Sequence, residues 1–180
     1  MRMNDNRFGS VRVLLLLAGL LAAGIGCSNK TNSVEYKDSV KAALQQADLR
    51  DVSVSEDVSK NTITLTGTLH SDDAKTRAGE IAQGNAGTRV VANEISVEPV
   101  GSESQARKME SNLDDGIESN YKASLISKGL DKQDIKFNAK NGVLTLTGSV
   151  KNPNARKEAQ LLAQNTPNVN QVVNQLEVRR

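Results

Sequence analysis

The side chains of this 180-residue chain best suited to chemistry are a single cysteine, a single histidine and two adjacent carboxylate pairs. His70 has no second histidine with which to bind a metal or relay a proton, and it reads as a solvated residue at a strand end. Asp72-Asp73 and Asp114-Asp115 suggest calcium, but neither pair has the spacing of a calcium-binding loop. Asp72 and Asp73 also fall in the first turn of a predicted helix, where negative charge suits the dipole. No glycine-rich phosphate loop follows a strand, and no nucleophile elbow is present. Zinc has no Cys/His cluster to bind. The parts of an enzyme are missing, and the pattern calls for no cofactor and no metal.

Cys27 stands apart from these. Arg2, Arg7 and Arg12 precede the apolar run Val13 to Ile25, and Gly26-Cys27 closes it. A positive flank and a short apolar core build a secretory signal peptide. The run is too short to span a bilayer comfortably, which takes about 20 residues. A polar stretch, Ser28 to Ser33, follows. Gly24-Ile25-Gly26-Cys27 resembles a bacterial lipobox, with Gly24 where Leu is usual. That resemblance implies diacylglyceryl alkylation of Cys27 and cleavage before it. The alternative is ordinary cleavage near Ala22-Ala23, which leaves a free thiol, an oddity in an oxidising compartment. Ser28 resembles the signal that sends lipoproteins to the outer membrane.

The remaining chain carries an internal duplication. Ile63 to Val97 aligns without gaps on Leu144 to Val178 at an offset of 81. Thr64/Thr145, Leu65/Leu146, Gly67/Gly148, Ala78/Ala159, Ala82/Ala163, Asn93/Asn174 and Val97/Val178 are identical pairs. Each copy reads as helix, hairpin, helix, strand. Val52 to Val54 and Ile63 to Leu69 alternate apolar and polar residues, as do Ile135 to Phe137 and Val143 to Val150. Asn141-Gly142 predicts a tight hairpin turn, and the turn in copy one is longer. Ser71 and Asn152 are predicted N-caps, with Pro153 at the first helical position. Ala74, Ala78, Ile81 and Ala82, like Ala155, Ala159, Leu162 and Ala163, form a narrow apolar stripe. The opening helices are less alike: Val40, Ala43, Leu44 and Ala47 in copy one, and Leu113, Ile117, Tyr121 and Leu125 in copy two, closed by Gly129.

Apolar-x-Leu-x-Gly, an alanine-striped helix and Val-x-Asn-x-(Ile/Leu)-x-Val together resemble the BON domain. Gly67, Asn93, Ile95 and Val97 carry the resemblance in copy one, and Gly148, Asn174, Leu176 and Val178 in copy two. Asn168 stands where Gly87 supplies the family's usual glycine, and Asn tolerates the left-handed conformation. The resemblance implies an α+β fold in two tandem domains, each with two helices packed on a three-stranded mixed sheet. It also implies an exported protein linked to envelope stress, with phospholipid surfaces as partners and no shared catalytic residues. The expected organisation is a signal peptide at 1–26, a polar tether at 27–33, domains at 34–98 and 109–180, and a linker at 99–108.

Charge separates the copies. Val34 to Glu98 carries 7 basic and 11 acidic residues, whereas Met109 to Arg180 carries 10 and 8. Lys151, Arg156 and Lys157 cluster near the second helix of copy two and are the expected membrane-facing residues. Basic groups near an anionic leaflet contribute about 1 kcal/mol each, so the expected contact is weak. The absence of Trp argues against deep insertion. Nucleic acid is excluded as a partner for an exported chain with no dense basic stripe. The favoured reading is a lipid-anchored binding module on the periplasmic side of the outer membrane. Its rivals are a periplasmic holdase or scaffold that binds envelope proteins, and a passive spacer.

Overall fold

A computed structural model describes residues 35–179. In copy one, α1 (Lys37–Gln46), β1 (Val52–Asp57), β2 (Thr62–Leu69), α2 (Asp72–Asn85), β3 (Val90–Asn93) and β4 (Ser96–Val97) follow in order. In copy two the equivalents are α3 (Glu103–Ser127), β5 (Asp134–Lys140), β6 (Val143–Val150), α4 (Pro153–Gln164), β7 (Gln171–Asn174) and β8 (Glu177–Val178). β2 pairs antiparallel with β1 and parallel with β3 and β4; β6 repeats this with β5, β7 and β8. Each sheet thus has three strand positions and is mixed, with its last strand in two segments.

The break in that last strand falls opposite a glycine. Thr62 pairs with Val90 and Thr68 with Ser96, so the register is unchanged across the gap beside Gly67. Gly67 and Gly148 adopt φ of +129° and +97°. A Cβ on Gly148 would strike the carbonyl oxygen of Asp134, and one on Gly67 that of Asp51. Close backbone approach therefore excludes a side chain at both positions.

The caps and cores follow the sequence pattern. Ser71 accepts the N–H of Ala74 at 3.3 Å, and Asn152 that of Ala155 at 2.8 Å, with Pro153 in the first turn. Ala78, Ala82, Ala159 and Ala163 are fully buried, which seats α2 and α4 closely on their sheets. Asn168 takes φ of +65° where Gly87 takes +59°. Buried Tyr121 meets Phe137 edge to face at 5.1 Å and donates its hydroxyl to the Ala159 carbonyl at 3.2 Å. Burial pushes that phenol well above its ordinary pKa.

Two expectations need correction. Helix α3 starts at Glu103, so much of the expected linker is helical. Leu113, placed in the apolar stripe of copy two, is 43% exposed. The cause is common to both. The first turns of α3 do not lie on the sheet of copy two; they reach back over copy one. There Glu110 accepts the Val97 N–H at 2.9 Å and the Ser96 hydroxyl at 2.5 Å, and Arg107 meets Glu98 at 2.6 Å. One and two helical turns later, Asp114 accepts the N–H groups of Asn141 and Gly142 at 2.7 and 3.0 Å, and Glu118 that of Ala139 at 2.9 Å. An i, i+4, i+8 row of carboxylates thus fastens the last strand of copy one to the hairpin of copy two.

The copies also meet along β3 and β7. Gln171 accepts the N–H of Asn93 at 3.2 Å and donates to the carbonyl of Val91, so one side-chain amide satisfies the strand edge as a neighbouring peptide would. Gln175 donates to the Thr62 hydroxyl at 2.9 Å, and Asn141 to the Glu94 carbonyl at 2.8 Å. Ala92, Val143 and Val173 form a small buried cluster at this seam.

Candidate functional site

Lys151, Arg156 and Lys157 are brought together where β6 turns into α4. The Asn152 cap ends the strand extension and Pro153 starts the helix, which places the three cations within two turns of chain. All three are exposed. None makes an ion pair among the described residues. The Lys151 backbone N–H is held by Gln133 at 2.9 Å, and Arg156 makes a long contact, 3.5 Å, with the Asn174 carbonyl. Beyond them, Arg179 pairs with Asp134 at 3.7 Å. The corresponding positions in copy one are His70, Lys75 and Thr76.

Lys75 shows how differently copy one is built. Its ammonium lines a cleft of about 200 Å³ at the seam, among Asp72, Glu110, Asp114 and Asn141. It donates to the Asn141 carbonyl at 3.1 Å. Burial lowers its pKa, and the carboxylates of Glu110, Asp72 and Asp114 oppose that shift. Glu110 and Asp114 already accept backbone N–H groups, so this cleft is an internally satisfied joint. Asp72, exposed, lies in the first turn of α2, as does Asp73. His70 Nδ1 donates to the Glu98 carbonyl at 2.9 Å.

Sequence reasoning missed an apolar groove of about 370 Å³ on copy two. Lys122, Leu125, Ile126, Leu130, Ile135 and Phe137 line it, and Ile126 is 56% exposed. Its signal was Ile126 itself, an apolar residue beside Leu125 and off the stripe that α3 buries. Cys27 lies outside the described residues. Among those residues, no helix is long and apolar enough to cross a membrane.

A BON domain profile matches residues 33–99 and again 113–180. No curated protein matches the sequence. The duplicated helix-hairpin-helix-strand order, the paired glycines and these two matches agree: the chain belongs to the BON-domain family, a non-catalytic binding family, and carries the domain twice.

Proposed function

We propose that this protein is a non-catalytic envelope lipoprotein, anchored through Cys27, whose second copy rests on anionic phospholipid headgroups through Lys151, Arg156 and Lys157. Membership of a phospholipid- and envelope-associated domain family supports this reading. The observation that carries it is the exposed grouping of three cations that make no ion pair among the described residues, on a fold whose equivalent lysine in copy one is half-buried in a cleft lined by carboxylates. Acyl chains provide attachment; the cations provide contact. Three such charges contribute about 3 kcal/mol, which alone corresponds to millimolar affinity.

The groove around Ile126 favours a second reading, a periplasmic holdase or scaffold that takes an apolar segment of an envelope protein. Co-sedimentation of the unlipidated region with vesicles separates the two. Binding to phosphatidylglycerol vesicles but not to phosphatidylcholine ones supports headgroup contact, and indifference to both supports the protein partner. Anchoring is tested by feeding labelled palmitate to cells. Wild type is expected to take up label and fractionate with membranes, Cys27→Ser to do neither.

A further inference from the structure

Strands β3 and β7 run antiparallel at the seam. Gln171, at the start of β7, reaches Val91 and Asn93, while Gln175, past its end, reaches Thr62, the register partner of Val90 at the start of β3. The hairpin-turn end of copy one therefore lies beside the end of copy two from which α4 departs.

That turn end is also where the chain enters the fold. The N–H groups of Tyr36 and Lys37 donate to Glu56 Oε2 at 2.8 and 2.9 Å. Arg89 holds the other oxygen of Glu56 at 2.7 Å, reaches Asn61 at 2.7 Å and lies 5.7 Å from the Tyr36 ring centre. From Asn61 the path crosses Thr62 and Gln175 to Asn174, whose carbonyl Arg156 touches. The entry point and the Lys151, Arg156 and Lys157 cluster share one end of the body. Asp72, Asp73, Glu110 and Asp114 gather toward the other.

We infer that the end shared by Tyr36 and the Lys151, Arg156 and Lys157 cluster is the face turned to an anionic bilayer, with the tether setting that orientation. The inference rests on the lipid anchor proposed above. Lengths decide it. Cys27 and Glu35 are eight residue steps apart, a length of chain that reaches at most about 29 Å. An eight-residue strand is about 27 Å long, so with its turns each end lies about 30 Å or more from the other. Placing the acidic end on the bilayer would demand a tether stretched to its limit. Placing the basic end there demands nothing.

Asp73 and Asn154 are the test, because they occupy equivalent exposed positions, 81 residues apart, at opposite ends. Asp73→Cys and Asn154→Cys are made separately in the full lipidated chain, whose Cys27 thiol is consumed by the lipid. Each is labelled with a thiol-reactive fluorophore and bound to phosphatidylethanolamine–phosphatidylglycerol vesicles that carry a headgroup nitroxide. Quenching is expected to be several-fold stronger at position 154. Equal quenching, or stronger quenching at 73, in protein that pellets with the vesicles overturns the orientation alone. Protein that stays in the supernatant overturns the anchor and the inference together.

Discussion

Ala92 and Val173 are the same position of the two copies, and both are buried at the seam where β3 runs beside β7. Equivalent residues meet in this way across a two-fold interface between identical subunits. Here the duplication reproduces that contact within one chain, and the sides have diverged to fit: Thr62 faces Gln175, while its equivalent Val143 joins the apolar cluster. The duplication therefore has an architectural outcome, one body with unlike ends.

Gly148→Val tests that unity. The new side chain would collide with the Asp134 carbonyl and require φ of +97° from a β-branched residue. A loss of about 3 kcal/mol is expected from overpacking and backbone strain. Because α3, Gln171 and the seam cluster join the copies, both should unfold in one shifted transition. Urea unfolding followed by a probe in each copy checks this. Two transitions, with copy one unmoved, would show that the copies are independent.

The helix, hairpin, helix, strand order was legible because its signals are local: alternation in β2 and β6, Asn141-Gly142, the Asn152-Pro153 cap, and alanines at helical spacing. The equivalence of the opening helices was harder to read. Val40, Leu44 and Leu49 correspond to Tyr121, Leu125 and Leu130 at the same offset of 81, yet apart from Lys41/Lys122, Ala42/Ala123, Leu44/Leu125 and Leu49/Leu130 the residues from Tyr36 to Asp51 differ from their equivalents. The first half of α3 was illegible for a different reason. Its partners Ser96, Val97 and Asn141 are distant in sequence, and nothing in the pattern of Glu110, Asp114 and Glu118 names a backbone N–H as acceptor's partner. The Lys151, Arg156 and Lys157 grouping could be read from spacing, but the end it shares with Tyr36 depends wholly on how the copies pack.

Gln171→Ala should loosen the seam. It removes both partners of the β3 edge, the acceptor for Asn93 N–H and the donor to the Val91 carbonyl. A cost of about 1–3 kcal/mol is expected for polar groups left without partners. Amide hydrogen exchange at Asn93 should accelerate well beyond that of the strand interior. Unchanged exchange there would mean that water replaces the side chain without loss.

Glu56 gives stability a defined pH dependence. Burial opposes its charge, but the Arg89 guanidinium and the N–H groups of Lys37 and Tyr36 outweigh that and hold its pKa below the ordinary glutamate value. A carboxyl depressed on folding stabilises fully at neutral pH, and that contribution fades as pH falls through the ordinary glutamate range toward the folded value. Glu56→Gln should cost about 2 kcal/mol at neutral pH, as loss of charge-assisted hydrogen bonds does. It should also flatten the acid side of the stability profile. Denaturant unfolding across that range measures both effects; an unchanged acid slope would assign the pH dependence elsewhere.

Headgroup contact through Lys151, Arg156 and Lys157 is the central functional claim, and charge reversal tests it most directly. The unlipidated region is sedimented with phosphatidylglycerol vesicles at low and moderate salt, as wild type and as the Lys151→Glu, Arg156→Glu, Lys157→Glu triple variant. Weak wild-type binding is expected at low salt, with loss as the Debye length shortens from about 30 Å at 0.01 M to about 10 Å at 0.1 M. The triple variant is expected not to bind at either, while its circular dichroism and melting stay those of the wild type. A triple variant that sediments with the vesicles as well as the wild type would contradict the account.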